Sequence, residues 1–253
     1  MAVQDNAPIG IIGGTALAAL AGLDDAQQPS TADTPFGPPS GPLLRGRLAT
    51  RDVCFVMRHG PGHKLAPHRI NYRANIRALA DAGCRQVIAI AAVGGITEPM
   101  RSGRIVIPDQ IIDYSWGRAH SFYDDPDGGV LDHIDFTTPY ATPLCEALIR
   151  GAEAAGLDPA GSGVHGVTQG PRLETAAEID RMERDGCDIV GMTGMPEAAL
   201  AREAGLDYAC CAVVVNKAAG RSGGTAIHAE IEATLAQGMV DIERLLEQTL
   251  PQL

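Results

Sequence analysis

Short apolar runs recur along the chain, and each is closed by glycine, proline or a polar residue. Such runs are too short for typical helices, and many are rich in β-branched residues, which favours buried strands. The predicted strands are 9–12, 53–57, 87–93, 164–168, 189–192 and 208–215, with shorter pieces at 105–107 and 110–112.

Between these runs the apolar positions adopt helical spacing. The predicted helices are 72–82, 143–155, 176–185, 196–204 and 229–250, and a further helix begins at 16–21. Pro, Ser, Asp and Gly in 24–42 predict a loop. We expect a flexible tail at 1–8 and one domain at 9–253. Alternating strands and helices predict an α/β fold with helices on both faces of the sheet.

The formal net charge of the 253 residues is −11. This charge opposes general binding to nucleic acid or to a membrane surface, since both are anionic. A local pocket can still hold a small anion. No apolar run approaches the roughly 20 residues of a membrane helix, and the first residues lack the features of a signal peptide. We therefore expect a soluble, cytoplasmic protein.

The cysteines and histidines do not follow the spacing of a metal site. The six cysteines include no Cys-x-x-Cys pair, and the chain contains no His-Glu-x-x-His run. Buried, reduced thiols are the ordinary state of such cysteines. We therefore expect no metal.

Polar residues stand at or just past the ends of the predicted strands. They are Thr15, Arg58, His59, Glu174, Thr193 and Asn216. In open α/β sheets, ligands bind in the crevice at the carboxyl ends of the strands. We therefore expect these six side chains to meet at one site.

Two of these positions suggest an anion. Gly13-Gly14-Thr15 lets backbone amides approach an oxyanion ahead of a helix, and Arg58 offers a planar fork that fits phosphate at two points. Each feature alone also fits a structural role. The alternatives are a tight turn at 13–15, a surface salt bridge or solvated histidine at 58–60, a solvated Glu174, a core Met192 and a turn-initiating Asn216.

Taken in chain order, seven runs resemble the trimeric nucleoside phosphorylases, a family that includes purine nucleoside, 5′-methylthioadenosine and S-methyl-5′-thioinosine phosphorylases. The runs are IGIIGGT, MRHG, NYRANIRALADAG, AAVGGI, TQGPRLETAAE, GMTGMPEAALAREAG and VVVNKAAG. The resemblance extends from about Ile9 to Leu250. Within it, GMTGMPEAALARE and HIDFTTPY look most like the methylthioinosine enzymes.

The resemblance implies a single-domain mixed β-sheet flanked by helices, and a homotrimer whose active site is completed by a neighbouring subunit. Met192 would lie against the ribose, and His133 would reach the sugar 5′ end in a neighbour's site. Inorganic phosphate would be a co-substrate, with no cofactor. The residues implied to hold phosphate are Thr15, Arg58, His59, Ala92 and Thr193.

The purine base is expected to contact Leu173, Glu174 and Asn216, of which the last two are the expected catalytic residues. The Glu174 carboxylate accepts from N1–H of a 6-oxopurine but would face the lone pair of adenine N1, and the Asn216 amide can donate to N7 or O6. The resemblance implies Asp at position 216, and no Glu at 174, in the adenine-using relatives. Both arguments favour a 6-oxopurine nucleoside.

Two residues near the closing helix bear on the sugar 5′ group. His228 would hydrogen-bond a 5′-hydroxyl, with Ile231 one turn on, whereas methylthio-specific relatives place an apolar residue at the position of His228. A difference in loop length would instead turn His228 to solvent. We expect phosphorolysis of methylthioinosine, inosine or guanosine to a free base and a sugar 1-phosphate, in purine salvage. The alternatives are a 5′-methylthioadenosine phosphorylase and a non-catalytic nucleoside-binding protein.

Overall fold

In the computed structural model, the described residues are 7–14, 24–30, 33–124, 131–222 and 227–253. These residues form ten strands and five α-helices. The strands are β1 (Ile9–Gly13), β2 (Asp24–Ser30), β3 (Leu43–Leu48), β4 (Arg51–Met57), β5 (Gln86–Gly95), β6 (Ile105–Val106), β7 (Gln110–Asp113), β8 (Val164–Val167), β9 (Ile189–Gly191) and β10 (Asp207–Lys217). The helices are α1 (Tyr72–Asp81), α2 (Thr142–Ala154), α3 (Ala176–Arg184), α4 (Gly194–Glu203) and α5 (Ile227–Thr249).

The central strand is β5, whose apolar sequence is buried along most of its length. On one edge it pairs in parallel with β10 from end to end. On the other edge, β1 pairs in parallel with residues 86–89, and β9 pairs antiparallel with Gly94 and Gly95. Residues 90–93 therefore have no strand neighbour on that second edge within the described part of the chain.

The sheet order is β2-β3-β4-β1-β5-β9-β8-β7, with β6 beside β10. Parallel pairs (β1 with β4, β7 with β8, β8 with β9) stand beside antiparallel ones (β2 with β3, β3 with β4). The sheet is therefore mixed, as predicted. Because β9 runs against β1 along the same edge of β5, the carboxyl ends of these two strands point at each other across residues 90–93.

The helices cover the sheet and bury its apolar side chains. Both α2 and α5 pack on β10 and on each other, while α4 packs on β10 and α1 packs on α4. Gly238 allows the close approach of α5, since a Cβ there would lie 2.6 Å from Cγ2 of Val213. The N-terminus of α3 has a capping box between Thr175 and Glu178.

Most predicted elements agree with the structure to within two residues, but 24–42 was predicted wrongly as loop. Residues 24–30 form β2, and β3 follows from Leu43 without having been predicted. A polar sequence with a proline can form β2 because β2 is an edge strand: among the described residues it pairs with β3 alone, and with irregular register. The helix predicted at 16–21 and most of the tail predicted at 1–8 lie outside the described residues.

Candidate active site

A cavity of about 460 Å³ opens at residues 90–93 of β5, where the ends of β1 and β9 meet. Arg58 and His59 enter it just after β4, Asn216 near the end of β10, and Met192 and Thr193 just after β9. Nine residues predicted for the site line this one cavity: Arg58, His59, Ala92, Leu173, Glu174, Met192, Thr193, Asn216 and Ile231. Five of the six strand-end residues therefore meet at one cavity, and the sixth, Thr15, lies outside the described residues.

Arg58 lies at the end of the cavity where phosphate is expected, and only 1% of its surface is exposed. Its Nε and Nη2 donate to the two carboxylate oxygens of Glu197, each at 2.7 Å, and Nη1 donates to the carbonyl oxygen of Ile90 at 2.8 Å. Burial alone would lower the pKa of Arg58, but the charge and hydrogen bonds of Glu197 raise it overall. The planar fork of Arg58 was expected to hold phosphate, but Glu197 occupies its Nε–Nη2 edge. One N–H group on Nη1 and one on Nη2 remain for a ligand.

His59 is buried beside Arg58 with its Nδ1 2.8 Å from the carbonyl oxygen of Leu65. A carbonyl oxygen can only accept, so Nδ1 carries the hydrogen and Nε2 remains for a ligand. Burial, with a smaller contribution from the charge of Arg58, lowers the pKa of His59 to about 4. The ring of His63 lies against it, with centroids 4.1 Å apart. His59 is therefore a neutral side chain at neutral pH.

Backbone and hydroxyl groups complete this end of the cavity. Gly14 lies so close to the sheet that a Cβ would be 2.8 Å from the Ile90 carbonyl oxygen. Thr193 is the N-cap residue of α4 but makes no side-chain capping bond, so its buried hydroxyl is free for a ligand. Thr15, which follows Gly14, lies outside the described residues.

Glu174 and Asn216 form a second polar end. Oε1 of Glu174 accepts a hydrogen bond from the Thr168 hydroxyl at 2.6 Å, which leaves Oε2 for a ligand. Nδ2 of Asn216 donates to the Lys217 carbonyl oxygen at 2.7 Å, so one amide hydrogen remains. Asn216 is buried at a register shift between β10 and β5. This irregularity places its amide at the cavity.

The wall beside these polar ends is apolar. Ile227, Ile231 and Leu235 of α5 line it, and their spacing of four residues puts them on one helix face. His228 is exposed and does not line the cavity. The expectation that His228 reads the 5′ group therefore fails in this structure, because one step along the helix turns a side chain by about 100°.

A family model described as the phosphorylase superfamily matches residues 8–251. The chain belongs to this superfamily. A relative named probable S-methyl-5′-thioinosine phosphorylase, from Pseudomonas syringae pv. tomato, is 50% identical over 95% of this chain and 97% of its own length. The 6-oxopurine nucleoside phosphorylase of Pyrococcus furiosus is 40% identical over 96% of this chain and 92% of its own length.

Solved structures of the superfamily share the fold. A methylthioadenosine phosphorylase from an antarctic soil metagenomic library superposes with a TM-score of 0.89 at 32% identity, covering 98% of this chain and 87% of the other. A mutant of the adenosine/methylthioadenosine phosphorylase of Schistosoma mansoni, solved with methylthioadenosine, gives 0.88 at 31% identity, covering 97% and 91%. The resemblance inferred from the seven sequence runs is thereby confirmed.

Several residues of this superfamily site were not predicted from the sequence. Glu197 had one available signal, a carboxylate in the first turn of α4 followed directly by four small or apolar residues. Arg118 had none: it is buried and donates to carbonyl oxygens of Thr168, Gln169 and Met192, and thereby connects the loop after β8 to the segment after β9. Others that line the cavity are His63, Lys64, Ile227 and Leu235.

His133 lies exposed in the segment before α2 and does not line the cavity of its own chain. Its predicted role in a neighbour's site stays a prediction. All six cysteines are free and buried. Within the described residues, no cluster of His, Cys, Asp and Glu could hold a metal ion, and no helix is long and apolar enough to cross a membrane.

Proposed function

We propose that the protein cleaves 6-oxopurine nucleosides with inorganic phosphate, releasing the free base and a sugar 1-phosphate. The proposal depends mainly on one observation: a single cavity has a polar group of residues at each of two ends. Arg58, His59 and Thr193 form the end suited to phosphate, and Glu174 and Asn216 form the end suited to a purine edge. The membership of the phosphorylase superfamily supports the same reaction.

The hydrogen-bonding groups of the base end favour a 6-oxopurine. Oε2 of Glu174 can accept from N1–H of hypoxanthine or guanine, whereas adenine N1 would bring a lone pair against it. The remaining amide hydrogen of Asn216 can be donated to N7 or O6. A site that leaves buried polar groups unpaired discriminates strongly against the mismatched substrate.

The chemistry is a displacement at the sugar C1′. The glycosidic bond lengthens first, so positive charge develops on the sugar and negative charge on the departing purine. Asn216 stabilises the purine through its amide, and Glu174 fixes the orientation of the base. Phosphate then attacks C1′, held by Arg58, His59 and Thr193, with Thr15 proposed beside them. Positioning and electrostatic stabilisation carry the reaction, with phosphate as co-substrate and no cofactor.

The apolar wall favours a 5′-methylthio group over a 5′-hydroxyl. A thioether gains from contact with Ile227 and Ile231, whereas a hydroxyl facing them would lose its hydrogen bonds to water. Relatives named probable S-methyl-5′-thioinosine phosphorylase are consistent with this choice. We therefore propose methylthioinosine as the preferred substrate. We also propose a cytoplasmic homotrimer in which His133 serves the neighbouring site.

A substrate panel tests the proposal. Methylthioinosine, inosine, guanosine, methylthioadenosine and adenosine are each supplied with and without phosphate, and release of free base is measured in the presence of a chelator. We expect phosphate-dependent release, fastest with methylthioinosine and slowest with the two adenine nucleosides. Fastest release from methylthioadenosine would refute the base assignment, and nucleoside binding without any release would indicate a non-catalytic binding protein.

A further inference from the structure

The buried side chains at the phosphate end carry no net positive charge. Both carboxylate oxygens of Glu197 bond to Arg58, and the hydroxyl of Tyr208 donates to Oε1 at 2.8 Å. Glu197 is fully buried in this arrangement. The positive charge of Arg58 is therefore cancelled beside the cavity before phosphate arrives.

The second basic residue of this end is neutral as well. His59 is buried with Nδ1–H committed to the Leu65 carbonyl oxygen, so Nε2 faces a ligand as a lone pair. The ring of His63, which lies against His59, is largely exposed at the cavity mouth, and its partial loss of hydration lowers the pKa of His63 too. Neither imidazole offers a positive charge to this end of the cavity at neutral pH.

The other ionisable groups around this end do not change the balance. Burial raises the pKa of Tyr72 on α1 and of Tyr208 on β10, and lowers that of His165 on β8 to about 4, so all three are neutral. Lys64 lines the mouth but is exposed, where water screens it. Arg118 is a buried cation that does not line the cavity, and its guanidinium donates to the carbonyl oxygens of Thr168, Gln169 and Met192. The carboxylate of Glu174 at the other end of the cavity opposes the charge of Arg118, so the charges of Arg58, Glu197, Arg118 and Glu174 still sum to zero. The residues outside the described ranges include no Lys, Arg or His.

We propose that phosphate binding in this cavity is coupled to the uptake of one proton, so that the site holds the phosphate monoanion or the dianion against a protonated His59. The inference rests on the proposed function, since it concerns the same co-substrate site. A buried dianion beside groups whose charges sum to zero would be strongly unfavourable. One proton, on a phosphate oxygen or on Nε2 of His59, halves the uncompensated negative charge of the bound phosphate. The same proton forms a hydrogen bond between phosphate and His59.

Calorimetric titration of the protein with phosphate measures this coupling directly. The enthalpy is compared in buffers of different ionisation enthalpy, from about pH 6 to about pH 9. We expect uptake of about one proton per phosphate on the alkaline side of this range, and an affinity that falls about tenfold per pH unit there. Sulfate, a dianion throughout the range, locates the proton: weaker binding than phosphate with no proton uptake places it on a phosphate oxygen, whereas binding with the same uptake places it on Nε2 of His59.

A variant tests the assigned cause. Glu197→Gln removes the cancelling charge while keeping an acceptor for Tyr208, so the site gains a net positive charge. We expect proton uptake to fall toward zero and the alkaline loss of affinity to flatten. Tyr208→Phe is the matched control, because it removes a hydrogen bond to Glu197 without changing charge and should keep the coupling. The wild-type titration decides the proposal even if Glu197→Gln does not fold.

The outcomes separate this inference from the proposed function. Phosphorolysis with proton-coupled phosphate binding supports both. Phosphorolysis with no proton uptake, or with an affinity that is constant from neutral to alkaline pH, overturns the inference and leaves the function. Absence of both phosphorolysis and phosphate binding overturns both.

Discussion

The two sides of the cavity are built in different ways. On the side proposed for phosphate and base, the polar groups lie at strand ends or in the loops that follow them, and Arg58, His59, Glu174 and Asn216 are each held by at least one hydrogen bond. On the 5′ side, the wall is one face of α5, and its contacts are apolar side chains.

The hydrogen-bonded side is suited to the chemical reaction, and the apolar side is suited to the choice of substrate. A side chain fixed by the sheet and by buried hydrogen bonds cannot be replaced without disturbing several groups, which suits the invariant steps of bond cleavage. An apolar helix face tolerates exchange of one side chain at a time, which suits adaptation to a different 5′ group. Substitutions on the two sides should therefore differ in both size and kind.

The largest effect is expected at the Arg58–Glu197 pair. Arg58→Met leaves the carboxylate of Glu197 buried without its cation, which should lower the free energy of unfolding by about 3–5 kcal/mol and abolish phosphate-dependent activity. The double variant Arg58→Met with Glu197→Gln should recover most of the stability and none of the activity. Urea unfolding and base release measure the two effects. Recovery of activity in the double variant would show that phosphate does not depend on Arg58.

The next largest effect is expected for substitution of Asn216, which should slow the cleavage of the glycosidic bond. Asn216→Ala removes the amide that stabilises the departing purine, so kcat should fall by roughly 10²–10³-fold. The KM for phosphate should change little, because Asn216 belongs to the base end. Steady-state kinetics with phosphate and nucleoside varied separately provide the measurement. A rise in the KM for phosphate as large as the fall in kcat would contradict the division of the cavity into two ends.

The sequence predicted the strand-end side of this comparison far better than the helix side. The end of a strand can be recognised from local sequence, because an apolar run stops there, as it does at Arg58-His59 and at Asn216. The order of the strands in the sheet then brings these ends together. The partner of the Arg58 guanidinium could not be predicted from local sequence, since Glu197 is 139 residues away in the chain. The direction of His228 depends on the rotation of α5, and a shift of one position exchanges wall and solvent.

Acid should lower the free energy of unfolding through His59 and His165, which are buried as neutral side chains. Burial lowers both pKa values to about 4, from 6.5, so the unfolded chain takes up protons before the folded protein does. Their contribution to stability is complete above about pH 6.5 and is lost as the pH falls toward 4. Between about pH 6.5 and about pH 5, each histidine should cost about 2 kcal/mol of unfolding free energy.

Urea unfolding of wild type and His165→Gln at several pH values checks this expectation. The variant should lose less stability than wild type between about pH 6.5 and about pH 5, whatever its stability at neutral pH. The control is the range above about pH 7, where the two pH profiles should run parallel. An equal loss on acidification in both proteins would show that His165 does not titrate in this range.

The smallest effect is expected on the helix side and should appear only as a change of preference. Ile227→His places a hydrogen-bond donor on the cavity face of α5, where it can meet a 5′-hydroxyl but not a thioether. The ratio of kcat/KM for inosine to that for methylthioinosine should rise by roughly tenfold, equivalent to about 1.4 kcal/mol. His228→Met, the neighbouring position on the exposed side, is the matched control and should change this ratio by less than about twofold. If His228→Met instead lowers activity on inosine alone, the 5′ group is read by His228, and α5 is rotated by about 100° in the working enzyme relative to this structure.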